Sequence, residues 1–297
     1  MKLSKAFLYT DYNGSSYASQ MVIFTKELNI DYVVRVGEVG ALRGLSQRRI
    51  IYSGGKFVKI ELIFEIYPEF FMPLFNTFAQ YVVNNNKRVY SLTNSNVVPM
   101  SNYVAIAYET LTGQKVQTNL GVLSGLEIQL PVNGIATGKM LIYAFPGLSS
   151  IQNLPSVGSY SLLTPANLTG KMILNNQVYT LQISNFQLQY QREINSKATT
   201  RGILEDIFIA SQTVDFRLEV LDSVTLGDQT IDAVSLFESM YLNGQRAALE
   251  VWIVNLYVLK INEFVIRETE KMYTSKFISL GCSAIGENYT QIQLTQL

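Results

Sequence analysis

The chain has 297 residues, of which 48% are hydrophobic and 15% charged, and its 23 basic residues equal its 23 acidic ones. This length allows two domains of ordinary size, each with its own core. The charge balance argues against nucleic-acid binding through a basic face, because such binding rests mainly on phosphate neutralisation. The single cysteine, Cys282, excludes an intrachain disulfide, and its apolar neighbours predict a buried thiol and not a reactive one.

So few charges leave much neutral or apolar surface, of a kind that neighbouring subunits often cover. We therefore expect an oligomer, with a monomer coated in neutral polar residues as the alternative. The N-terminal residues lack the apolar core of a secretory signal, and no apolar run approaches the roughly 18 residues of a membrane helix. A soluble protein that stays inside a cell or a particle is expected, without a membrane partner.

In the first half, strand-like segments surround one helix. Residues 5–10 predict an opening strand, and residues 56–62 alternate apolar with charged side chains, as a half-buried strand does. Apolar residues at helical spacing predict a helix over 68–83, ended by three asparagines at 84–86. Closing strands are predicted at 103–109, 125–130 and 139–145.

The second half follows the same order after a segment, 146–165, that is rich in Gly, Pro and Ser and predicts a linker. A strand is predicted at 171–174, and residues 185–190 and 214–220 alternate with period two. A helix is predicted over 232–242, with Asp232 as its N-cap and Asn243-Gly244 as its stop. Closing strands are predicted at 248–261, 264–268 and 276–280.

Each half also contains a polar segment between its two alternating strands, at residues 35–49 and 192–206. We interpret both as long β-hairpin arms that project from their domain, the first net positive and the second balanced in charge.

The two halves therefore match in order and in local pattern. We predict a mainly β fold with two tandem β-sandwich or β-barrel-forming domains, each with one flanking helix and one long hairpin arm. The domain bounds are 1–145 and 166–297, joined by the linker. The matched segments are 28–32 with 186–190, 43–44 with 201–202, 58–62 with 214–218, and 74–75 with 236–237.

Catalytic equipment is sparse. The chain contains no histidine, which removes Ser-His and Cys-His nucleophile systems and the commonest zinc ligand. Neither common pattern of Gly-rich phosphate loop is present. Acidic neighbours such as Glu205 and Asp206 are typical of a solvated face, although two carboxylates alone suffice for a glycosidase. We predict no enzyme, no catalytic residue, no cofactor and no metal.

The order of strand, arm, strand, helix and closing strands, twice over, resembles the tail tube proteins of long-tailed bacteriophages and their archaeal-virus relatives. The segments that carry it are 185–192, Arg201-Gly202 and 207–221, with a small-residue break at Ala210-Ser211 that has a counterpart at 53–55. Residues 274–281 are similar to the closing strand of such domains.

The resemblance implies rings of six domains whose inner strands form one β-barrel around a lumen, stacked into a tube through which DNA leaves the capsid. A two-domain chain would fill that ring as a homotrimer with pseudo-sixfold symmetry. The implied partners are other copies of the chain, other tail proteins, and passing double-stranded DNA without specific binding. The implied location is the virion tail, after assembly in the host cytoplasm.

The resemblance also assigns roles to individual residues, with the polar strand rows facing the lumen and the arms reaching the next ring. The lumen-facing candidates are Asn29, Asp31, Lys59, Glu61, Gln187, Gln189, Asp215, Arg217 and Glu219. Lys59 and Arg217 fit such a lumen if they pair with Glu61 and Glu219. The candidates for contact between rings are Arg35, Glu38, Arg43, Arg48, Arg49, Arg192, Glu193, Lys197 and Arg201.

Other interpretations stay open at this point. A trimeric baseplate hub or distal tail protein would use the same doubled domain but stop at one ring. A capsid-surface β-sandwich that binds a ligand would remain small, and a carboxylate enzyme would show a pocket with two convergent acids. If the chain forms no ring, the polar rows simply face water on a lone domain, and the arms are ordinary flexible hairpins.

Overall fold

The computed structural model describes most of the chain. Its backbone covers residues 5–40, 49–85, 87–92, 97–110, 112–156, 159–166, 168–198, 204–254, 256–271, 276–285 and 292–296. Side chains are described throughout these ranges except at residues 5, 32–40, 49–56, 87, 195–198, 204–206 and 296.

The protein is mainly β, as the alternating patterns predicted. The elements of the first half are β1 (Lys5–Tyr12), β2 (Tyr17–Gly40), β3 (Arg49–Glu65), α1 (Pro68–Asn76), β4 (Ala79–Asn84), β5 (Lys87–Leu92), β6 (Tyr103–Glu109), β7 (Lys115–Thr118), β8 (Gly121–Pro131), β9 (Thr137–Ala144) and β10 (Leu148–Ser150). Those of the second half are β11 (Leu168–Leu174), β12 (Gln177–Ala198), β13 (Leu204–Leu221), β14 (Ser223–Leu226), β15 (Gln229–Asp232), α2 (Ala233–Leu242), β16 (Arg246–Ile253), β17 (Tyr257–Lys271), β18 (Phe277–Ala284) and β19 (Ile292–Gln296).

A closed six-stranded barrel forms the first half. Its strands pair in the circuit β1-β2-β3-β9-β8-β6 and back to β1, so that no edge remains within the circuit. The same circuit closes in the second half as β11-β12-β13-β18-β17-β16. Side chains such as Ile60, Leu62, Phe216 and Leu218 point inward and are buried.

One continuous sheet joins the two halves. Its strand order is β2-β3-β9-β8-β12-β13-β18-β17, four strands from each half, and the junction is the antiparallel pairing of β8 with β12. Because side chains alternate along every strand, one face of this sheet packs on the core and the other is polar.

Irregularities in the pairing recur at matching places in the two halves. The β2–β3 ladder shifts register at Lys26, and the β12–β13 ladder shifts at Ser184. The β8–β9 ladder shifts at Ser124, and the β17–β18 ladder shifts at Arg267. Each shift leaves one extra residue on the strand, as in a β-bulge. These four positions align the halves residue by residue; their origin by duplication stays a prediction.

The first helix is shorter than predicted. Helix α1 ends at Asn76, and the residues expected to continue it form β4, paired with β5. Pro73 lies inside the helix, and the Thr77 hydroxyl donates to the Leu74 carbonyl at 2.6 Å. The Asn102 amide then donates to the carbonyl of Asn76 at 2.8 Å, so tertiary contacts replace the next helical turn.

The second helix was predicted correctly. Helix α2 begins after Asp232, whose carboxylate accepts a hydrogen bond from the Ser235 amide at 3.0 Å. It ends at Leu242 with Asn243 as its C-cap, followed by Gly244 with a φ of +58°, a left-handed conformation that favours glycine.

Two further segments differ in detail from the sequence pattern. The single strand predicted over 248–261 is the β16–β17 hairpin, which turns at Val254 with a φ of +51°. The predicted linker contains β10 and packs on the first half, where the Leu163 amide donates to the Ile66 carbonyl at 2.8 Å.

Candidate assembly surface

All nine side chains predicted to face a lumen lie on the polar face of the eight-stranded sheet. The register sets Asn29 opposite Glu61 and Asp31 opposite Lys59 in the first half. The corresponding pairs of the second half are Gln187 with Arg217, Gln189 with Asp215, and Asn185 with Glu219. These side chains share one face because alternate residues of a strand point to the same side, which is the period of two seen in the sequence.

The ion pairs on this face differ from those expected. The Lys139 Nζ atom lies 2.6 Å from the Glu61 carboxylate, and this hydrogen bond lowers the pKa of Glu61 and raises that of Lys139. Arg217 pairs with Glu268 on β17 and not with Glu219. Both partners lie on strands distant in sequence, so only the strand order shows them to be neighbours.

Among the described side chains of this face, carboxylates outnumber cations. Its members that were not predicted from the sequence include Glu27, Glu127, Lys139, Glu268 and Glu270. Alternation within residues 125–130 and 139–145 was the available signal, since Glu127, Gln129 and Lys139 occupy its polar positions. The acids are Glu27, Asp31, Glu61, Glu65, Glu127, Glu193, Asp215, Glu219, Glu268 and Glu270, and the bases are Lys26, Lys59, Lys139, Arg217 and Arg267.

Among the described strands, both ends of the sheet are open edges. Residues 25–40 of β2 pair with β3 on one side and with no described strand on the other. Residues 266–271 of β17 pair with β18 alone among the described strands. Unpaired backbone groups along an edge are a template for pairing with another chain.

The β8–β12 junction shows how the two halves meet in the middle of the sheet. Residues 125–131 pair antiparallel with residues 185–191, and Gln189 lies opposite Glu127. The Gln187 amide donates to the Glu127 carboxylate at 2.9 Å, and the Ser124 hydroxyl donates to the Arg192 carbonyl at 2.9 Å. Two neutral amides, those of Gln187 and Gln129, therefore donate to Glu127, and Lys139 lies opposite this carboxylate on β9.

The base of the second arm packs on the first half. Ile194, Ile207 and Ile209 form a separate buried cluster with Phe57 and Val122. An isolated bridge between Val97 and Phe208 lies in the same region. The second arm is therefore anchored inside its own chain, while its tip, residues 199–203, is outside the described part.

Arg192 does not belong to an exposed arm, contrary to the prediction. Its side chain is only 2% exposed; the guanidinium Nε donates to the Tyr190 hydroxyl at 2.7 Å and one terminal nitrogen donates to the Phe78 carbonyl at 3.1 Å. Glu193 is exposed and accepts from the Ser211 hydroxyl at 3.1 Å. The other arm candidates lie outside the described side chains: Arg35, Glu38, Arg43, Arg48, Arg49, Lys197 and Arg201.

The described residues contain a buried thiol, no metal-ligand cluster and no helix able to span a membrane. Cys282 is buried, as predicted, and desolvation raises the pKa of its thiol. No cluster of three or more potential metal-ligating side chains occurs within the described ranges. None of the described helices combines the length and apolarity that spanning a membrane requires. No family model matches the chain, and no curated protein matches it.

Proposed function

We propose that the protein is a structural virion protein, the major tail tube subunit, which forms trimeric rings that stack around a DNA-conducting lumen. The observation that carries this proposal is the eight-stranded sheet, in which two similar four-stranded units are already paired edge to edge and both outer edges are open.

This arrangement supports a ring that closes between chains. The β8–β12 junction joins the last strand of the first unit to the first strand of the second. Repeating that step between chains would pair β17 of one copy with β2 of the next. Three copies would supply six units, and closure would leave no unpaired edge, which removes the aggregation hazard of long strands.

The polar face would then line the lumen. Its excess of carboxylates repels phosphates, so DNA would pass without being held, since binding to DNA rests on phosphate neutralisation by Lys and Arg. Some of the bases on the face are neutralised by ion pairs, such as Lys139 with Glu61 and Arg217 with Glu268, and are less available to phosphates.

Electron micrographs of the purified protein, taken over a range of concentrations, test the proposal. Hollow filaments of stacked rings support a tube subunit, whereas single trimeric rings that do not stack would identify a hub or distal tail protein instead. A stable monomer at every concentration would overturn both readings.

A further inference from the structure

The junction inside the chain provides a template for the junction between chains. This inference rests on the proposed function, because it assumes that copies associate through the open edges of β2 and β17. The repeated bulges make the template usable, since they identify which residues of the two halves are equivalent.

The equivalence sets a register. Glu127 is the third residue after the bulge at Ser124, and Glu270 is the third residue after the bulge at Arg267. Gln189 and Asp31 are each the fifth residue after their own bulges in β12 and β2. Because Gln189 lies opposite Glu127, Asp31 of one chain would lie opposite Glu270 of the next.

The two junctions then differ in charge. At the internal junction Glu127 faces the amides of Gln187, Gln189 and Gln129, and two of these donate to it. At the junction between chains, a carboxylate would face a carboxylate. Glu270 lies opposite Ser279 on its other side, so no cation of a neighbouring strand in its own chain offsets its charge.

We propose that residues 268–271 pair antiparallel with residues 30–33 of a second copy of this chain, with Glu270 opposite Asp31. The acid pair makes ring closure dependent on salt. Isolated chains repel each other at this edge in dilute buffer, and screening of the two carboxylates permits the strands to pair.

The size of the effect follows from Coulomb's law. Two carboxylates about 5 Å apart in water disfavour association about fourfold. Lys59, which lies opposite Asp31 on the other side, is the cation that acts on Glu270 across the junction; Arg267 lies on the same strand as Glu270 and is present in the wild type and in a Glu270 variant alike. A cation at about 10 Å halves the repulsive free energy and leaves about twofold per junction, or about eightfold over three junctions.

A cross-linking experiment tests the register. In a Cys282→Ala background, the pair Asp31→Cys and Glu270→Cys is expected to give covalent trimers on mild oxidation. The control pair Asp31→Cys and Thr269→Cys places the thiols on opposite faces of the sheet and is expected to give none. Rings in micrographs with cross-links from the control pair alone would overturn the register while leaving the ring proposal intact.

Sedimentation in 10 mM and 500 mM NaCl tests the charge effect. The wild type is expected to associate more strongly at high salt, and Glu270→Gln is expected to associate about eightfold more strongly than wild type at low salt. The matched control Glu238→Gln, on the exposed side of α2, is expected to behave as wild type. Equal behaviour of the two variants would overturn the salt inference, and absence of association at all salt concentrations would overturn the proposed function as well.

Discussion

The free-energy cost of an acid pair at such a junction can be measured within a single chain by placing one in the internal junction. The substitution Gln189→Glu keeps the size of the side chain and sets a second carboxylate opposite Glu127 on β8 and Asp215 on β13. It recreates inside the molecule the arrangement that we infer between chains. Unfolding of the monomer then reports the cost of the acid pair without any association step.

The magnitude follows from the strand geometry. Each carboxylate opposite residue 189 lies about 5 Å away and costs about 0.8 kcal/mol in water, so the two cost about 1.6 kcal/mol. Lys139, one strand beyond Glu127, returns at most about 0.4 kcal/mol at about 10 Å, because it is already paired with Glu61, and Arg217 is likewise paired with Glu268. We expect a net loss of about 1 kcal/mol at low salt, a fall in Tm of about 2–4 °C.

The assay is urea-induced unfolding of wild type and variant in 10 mM and 1 M NaCl, at concentrations where sedimentation shows a monomer. The loss is expected to shrink to a small fraction at 1 M, where the screening length is about 3 Å. The control Gln182→Glu lies opposite Thr169 and is expected to change little at either salt concentration. If Gln189→Glu destabilises the protein equally at both salt concentrations, the loss is not Coulombic and the reasoning fails.

Three further predictions concern packing, capping and the thiol. Gly138→Ala places a Cβ 2.5 Å from the Phe64 ring and is expected to cost about 1–3 kcal/mol in urea unfolding, whereas Gly125→Ala meets only ordinary contacts and is expected to cost less. Asp232→Ala removes the cap of α2 and is expected to cost about 1 kcal/mol at pH 7. Because hydrogen bonds lower the pKa of Asp232 in the folded protein, the difference in unfolding free energy between wild type and variant is expected to narrow as the pH falls below the ordinary value of 3.8 and through the lowered folded pKa. A difference that stays constant over this range would contradict the prediction. Cys282 is expected to resist a thiol reagent in the folded protein and to react in urea; rapid reaction in the folded state would show that the site opens.

Alternation along strands was predictable because it is a local property. The nine polar positions named from the sequence all lie on one face of the sheet, since a period of two needs no knowledge of the strand's neighbours. The same rule placed Arg192 in the buried row with Leu188 and Tyr190. Its charge suggested exposure, but in the interior two of its nitrogens donate to the Tyr190 hydroxyl and the Phe78 carbonyl, while the third, Nη1, has no hydrogen-bond partner among the described residues.

Pairing between distant strands was not predictable in the same way. Nothing in the sequence near Glu61 or Arg217 indicates that Lys139 and Glu268 are their partners, because the order β3-β9 and β13-β18-β17 decides it. The end of α1 was missed for a similar reason. Apolar residues at helical spacing continue past Asn76, but residues 79–84 form β4 and pair with β5 and do not extend the helix.

The bulge alignment also allows the surface under the base of the second arm to be compared with the equivalent surface of the second half. Inside the chain, the base of the second arm rests on Phe57, Val122 and Tyr143, an apolar surface that is covered as soon as the chain folds. The equivalent positions of the second half are Thr213, Val265 and Ser283. An apolar surface at these positions would remain exposed on every unassembled copy, and exposed apolar patches promote aggregation. The polar side chains of Thr213 and Ser283 reduce that risk. They also make the expected association between chains weaker than the association between the two halves of one chain.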